Sequence, residues 1–122
     1  MDRQSLTPTI AVDFDGTLCS EAWPSIGRPN LELINYLIRW RQKGRKVILW
    51  TCREDDMLKE AVIWCARHGL FFDAVNSNLQ ERIEAYGNDS RKIGADYYID
   101  DSSAFIIDNQ RLITPGRKEI WM

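Results

Sequence analysis

The stretch Ile10-Ala-Val-Asp-Phe-Asp-Gly-Thr-Leu18 decides how this chain folds. Ile10, Ala11 and Val12 read as a short buried strand that delivers two acids, Asp13 and Asp15, at its carboxyl end. Alternate residues of an extended segment point to the same side, so both carboxylates face one small volume. Gly16 lets the chain leave the sheet at an angle that a Cβ would resist. Two like charges this close repel unless something positive lies between them. A divalent cation with hard oxygen ligands, Mg²⁺ first, meets that need. The plainer alternative is an Asp-Gly turn closing an edge strand.

Outward from this stretch, residues 1–8 are polar and Pro8 ends them just before the strand. Residues 19–29 contain Pro24, Gly27 and Pro29, which is loop or short-hairpin chemistry. Asn30 is a helix N-cap, and the spacing of Leu31, Ile34, Leu37 and Ile38 predicts a helix over 31–43, stopped by Gly44. Lys46-Val-Ile-Leu-Trp-Thr51 reads as a buried strand, 54–67 as a second helix closed by His68 and Gly69, and 71–75 as a third strand. A short helix over 78–86 precedes a fourth strand, Tyr97-Tyr-Ile-Asp-Asp101. In the tail, Phe105-Ile-Ile and Arg111-Leu-Ile flank an Asp108-Asn109 turn and predict a hairpin.

Strands alternating with helices imply an α/β fold: a Rossmann-like, mainly parallel sheet with helices on both faces. Ligands of such sheets bind beyond the carboxyl ends of the strands. Three of the four strands end there in polar groups suited to phosphate chemistry, Asp13 with Asp15, Thr51, and Asp100 with Asp101.

Length and composition bound the reading. The 122 residues suit a single domain, 1–122, with one core. Hydrophobic residues at 44% and charged residues at 28% fit a globular protein. No apolar run approaches the roughly 20 residues of a spanning helix, and the N-terminus lacks an apolar signal-type stretch. The expected location is cytoplasmic, with no membrane partner. Cys19, Cys52 and Cys65 are odd in number and widely spaced, which opposes a disulfide framework or a structural zinc site. A net charge of −2, with a pI near 5.4, disfavours general nucleic-acid binding.

Asp13-Phe-Asp-Gly-Thr-Leu18 resembles the first signature of the haloacid dehalogenase (HAD) superfamily of aspartate-nucleophile phosphatases. Val47-Ile-Leu-Trp-Thr51 resembles the second motif, and Lys92 the third, with Arg91 beside it as a competitor for that role. Tyr97-Tyr-Ile-Asp100-Asp101 resembles the fourth. The motifs occur in the family's order and span residues 10–101. The resemblance implies an HAD-like core in which Asp13 attacks phosphorus and forms an aspartyl-phosphate. Asp15 then serves as general acid and later as general base. It also implies Mg²⁺ held by the Asp13 carboxylate, the Asp15 main-chain carbonyl and Asp100 or Asp101, with Thr51 and Lys92 on the transferring oxygens.

The intervals between motifs have room for the core elements alone, so the chain resembles a capless member. An open site of this kind takes a phosphorylated small molecule or a phosphorylated polymer end, or is closed by another copy in a homo-oligomer. Trp23, Arg28 and Arg53 then become candidate substrate contacts, against the plainer reading that Trp23 packs on Pro24 and the arginines are solvated. The expected function is hydrolysis of a phosphomonoester. The alternatives are a polynucleotide 3′-phosphatase-like activity, a catalytically silent HAD-like module, or a receiver-like phospho-acceptor. A receiver is disfavoured because its paired acids follow its first strand, whereas here the adjacent pair comes last.

Overall fold

The computed structural model describes residues 6–87 and 93–100, together with the backbone of 105–107 and 111–113. In chain order the elements are β1 (Thr9–Val12), α1 (Leu31–Gln42), β2 (Lys46–Leu49), α2 (Asp55–Arg67), β3 (Ala74–Val75), α3 (Gln80–Tyr86), β4 (Tyr97–Ile99), β5 (Phe105–Ile107) and β6 (Arg111–Ile113). The first four strands form a sheet in the order β3-β2-β1-β4, parallel throughout. β5 and β6 make the expected antiparallel pair. The architecture is a small Rossmann-like α/β domain.

Alternation along β1 explains the layering. Ile10 and Val12, with Val47 and Leu49 of β2, face a core filled by Leu33, Ile34 and Leu37 of α1 and by Ala61 and Cys65 of α2. Ala11 and Ile48 face the other way, against Leu79 and Ile93 at the two ends of the α3 segment. Helices therefore cover both faces, and β1 is wholly buried, as a central parallel strand must be. The first two crossovers step from β1 outward to β3, and the third returns past β1 to β4. The strand order thus reverses beside β1, and a crevice opens at such a reversal.

Several elements are shorter than the sequence predicts. α1 stops one residue before Lys43. β2 ends at Leu49, because the Thr51 N–H donates to the Asn76 side chain instead of to a strand. β3 keeps only Ala74 and Val75, because Asp73 turns its carboxylate onto the Val47 N–H and onto Arg41. β4 ends at Ile99, before both acids, and α3 begins at Gln80. Asn78 instead uses its side-chain oxygen to accept from the Gly94 N–H. Only α1 separates β1 from β2, and only α2, β3 and α3 separate β2 from β4, so no cap domain is evident among the described residues. None of their helices is long and apolar enough to cross a membrane.

Candidate active site

The site grows from the end of β1. The Asp13 N–H donates to the Ile99 carbonyl at 2.9 Å, and the Trp50 N–H donates to the Val12 carbonyl at 2.8 Å. The backbone on either side of the Val12–Asp13 bond is thus held by β4 on one flank and by the end of β2 on the other. Asp100 follows Ile99 directly, so the chain sets the two acids at the ends of adjacent parallel strands. Asp13 Oδ1 accepts from the Phe14 N–H at 2.7 Å, which fixes the carboxylate over the turn that follows.

That turn is tight. The N–H groups of Thr17 and Leu18 both donate to the Phe14 carbonyl, at 3.1 and 2.9 Å. Gly16 sits at φ 77°, where a side chain would be strained. Phe14 is buried and meets Trp64 of α2 edge to face at 5.5 Å. Asp15 then points its carboxylate at Arg53. Arg53 Nε donates to Oδ2 at 2.8 Å and Nη2 to Oδ1 at 2.7 Å, a bidentate pair. The Arg53 side chain is wholly buried. Its remaining donors reach the carbonyls of Pro24 at 3.4 Å and Ser25 at 3.0 Å. Its guanidinium lies over the rings of Phe14, at 5.1 Å, and Trp23, at 5.0 Å. The hydrogen bonds that Arg53 donates to Asp15 raise the Arg53 pKa above the ordinary guanidinium value, against the opposing effect of burial.

This pair corrects the sequence reading of Arg53. It is neither a solvated arginine nor an open hand toward substrate, since Asp15 and two loop carbonyls occupy its donors. The sequence also left the charge answering Asp15 to a metal, and the structure answers its carboxylate with Arg53. Trp23 packs on that guanidinium, while its indole stays 54% exposed. Arg28 is exposed, at the neck of the same loop.

Thr51 lies just past β2. Its Oγ1 accepts from the Arg53 N–H at 3.1 Å, a bond that does not use the hydroxyl proton. Its own N–H donates to Asn76 Oδ1 at 2.8 Å. Asn76, at φ 52°, was missed in the sequence, although Asn directly after an apolar pair is a residue that tolerates this left-handed conformation. Lys92, Arg91 and Asp101 lie outside the described residues. The described candidates Asp13, Asp15, Thr51, Arg53 and Asp100 all gather at the carboxyl edge of the sheet.

Among the described residues no group of three His, Cys, Asp or Glu side chains is placed to hold a metal ion. Mg²⁺, however, is commonly held by one or two carboxylates with water. The β1–β4 junction has oxygens that could serve such an ion. Asp13 and Asp100 supply carboxylates, and Asp15, its side chain taken by Arg53, has its main-chain carbonyl to offer.

One solved structure is closely similar to this chain. A conserved protein from Bacteroides thetaiotaomicron is 39% identical, matches 80% of this chain and 78% of its own, and superposes with a TM-score of 0.69. The chain belongs to the same family as that protein. The two chains thus share this small α/β fold. Comparison with family models and with curated proteins gives no match.

Proposed function

We propose that this chain is a Mg²⁺-dependent phosphatase that hydrolyses a phosphomonoester through an aspartyl-phosphate on Asp13. One observation carries the reading. Asp13 leaves the end of the central strand with its backbone held on both flanks, at the point where the strand order reverses and Asp100 ends the neighbouring strand. The family resemblance of the motifs supplies the chemistry.

In this reading an Asp13 oxygen attacks phosphorus in line, and the bond from phosphorus to the leaving oxygen breaks. Asp15, entering this step protonated and with one carboxylate oxygen released from Arg53, gives its proton to that oxygen. A water then attacks the phosphorus of the acyl phosphate, Asp15 takes its proton, and inorganic phosphate leaves as the Asp13 carboxylate is restored. The Thr51 hydroxyl donates to a transferring oxygen, held for that task by Asn76 and the Arg53 backbone. Lys92 is proposed for a second such contact. Mg²⁺, held by Asp13, the Asp15 carbonyl and Asp100 or Asp101, would screen the two anions that must meet. A cytoplasmic setting and a phosphorylated small molecule as substrate complete the proposal.

The test is phosphate release from a generic aryl phosphate. The full chain should require Mg²⁺, and Asp13→Asn should be silent at equal concentration and native circular dichroism. Activity that survives in Asp13→Asn, or that ignores chelation, refutes the mechanism.

A further inference from the structure

The loop between β1 and α1 is built stiffly around an exposed ring. Its neck is closed by Ser20 N–H to the Arg28 carbonyl at 2.8 Å and by Arg28 N–H to Ser20 Oγ at 2.8 Å. A Cβ on Gly27 would come within 2.2 Å of the Ser20 carbonyl oxygen, so the neck is too tight for a side chain there. At the tip, the carbonyls of Pro24 and Ser25 grip Arg53, and the Trp23 N–H donates to Glu21 Oε1 at 3.2 Å. Trp23 therefore has one face laid on a buried guanidinium and another open to solvent. The open face offers a flat ligand apolar and π surface to cover.

The position of this ring gives it a use. Arg53 joins the Trp23 indole directly to Asp15, two residues from Asp13. Trp50 is also exposed at this edge, but its ring meets Tyr98, which packs with the opposite face of the sheet.

We infer that Trp23 is the seat of a planar aromatic leaving group: the phosphoryl group goes to Asp13, and the flat ring of an aryl or nucleoside phosphate stacks on the open face of the indole. The inference rests on the phosphatase reading for the direction of the phosphate. The acidic net charge favours a small phosphate over a polyanionic strand. Arg53 makes the platform rigid, so little ordering remains to be done when the ligand arrives.

Calorimetric titration of the full-length Asp13→Asn chain with Mg²⁺ tests this without turnover. The probes are phenyl phosphate, cyclohexyl phosphate of similar size but without a π face, AMP and adenosine. Phenyl phosphate and AMP should bind about tenfold or more tightly than cyclohexyl phosphate, the scale of a single stacking contact. The tighter of the two identifies the ring as phenolic or nucleoside. The preference should vanish in Trp23→Leu, which keeps an apolar cover over Arg53, return in Trp23→Phe, and persist in Trp50→Leu. Equal binding of phenyl and cyclohexyl phosphate, no binding of either, a preference unmoved by Trp23→Leu, or one lost only in Trp50→Leu overturns the inference. The two readings fail separately. Equal binding alongside Mg²⁺-dependent hydrolysis by the wild type removes the ring seat alone. A Trp23-dependent preference in which adenosine matches AMP, without hydrolysis, removes the phosphatase alone.

Discussion

At Asp15 both carboxylate oxygens are taken by one guanidinium, and that guanidinium has no exposure of its own. A buried cation whose partner is removed, or a carboxylate whose buried cation is removed, loses far more than a surface pair does. Replacing Arg53 by Met should therefore destabilise the fold by about 3 kcal/mol, read from denaturant unfolding midpoints. Arg53→Lys should recover only part of this, since an ammonium cannot match both oxygens and two loop carbonyls at once. A loss below about 0.5 kcal/mol for Arg53→Met would mean that the pair behaves like an exposed one. The sequence put Arg53 at the right edge of the sheet but gave no hint of its partner. Residues 15 and 53 lie on different loops, and no periodicity or spacing rule links them. Thr51 was legible because a hydroxyl at the end of an apolar strand is a local pattern, whereas Asn76, its support, comes from another strand end.

At the scale of elements, α1 shows how a single side chain ties the helix to the site. Asn30 is buried; its Oδ1 accepts from the Leu33 N–H at 3.2 Å, and its Nδ2 donates to the Thr17 carbonyl at 3.1 Å. The first bond satisfies a helix-start donor and the second fastens the helix to the Asp-Gly-Thr turn. Asn30→Ala should cost about 2 kcal/mol by removing both. Asn30→Asp, which keeps the acceptor but not the amide donor, should cost less; thermal unfolding of the two variants decides it. The cap, both longer helices and the parallel order of the strands were legible in the sequence, because apolar spacing and Gly stops act locally. The strand ends were not. β3 shrinks because the Asp73 carboxylate, in place of a strand carbonyl, accepts from the Val47 N–H and from Arg41, partners distant in the chain, while the Asp73 N–H still donates to the Val47 carbonyl.

Across the whole molecule, the parallel strand order brings the carboxyl ends of β1, β2 and β4 to one edge of the sheet, while Cys19 and Cys65 are buried. Burial pushes the Cys65 thiol up to about 12 and the Cys19 thiol up to about 11, from 9.0. Unfolded thiols lose their protons first, so the stability they contribute is complete below pH 9 and is lost as the pH rises through 11 to 12. The unfolding midpoint should fall over that alkaline range, and with a shallower slope in Cys65→Val. At neutral pH iodoacetamide should label exposed Cys52 and spare Cys19 and Cys65 until the chain unfolds. The proposed mechanism rests on Asp13 as the nucleophile. The most direct measurement is mass analysis of the Asp13 peptide from protein quenched in acid during turnover of an aryl phosphate with Mg²⁺. The account predicts a phosphoryl group on Asp13, absent when Mg²⁺ is chelated. Steady release of phosphate with that peptide never modified would contradict it.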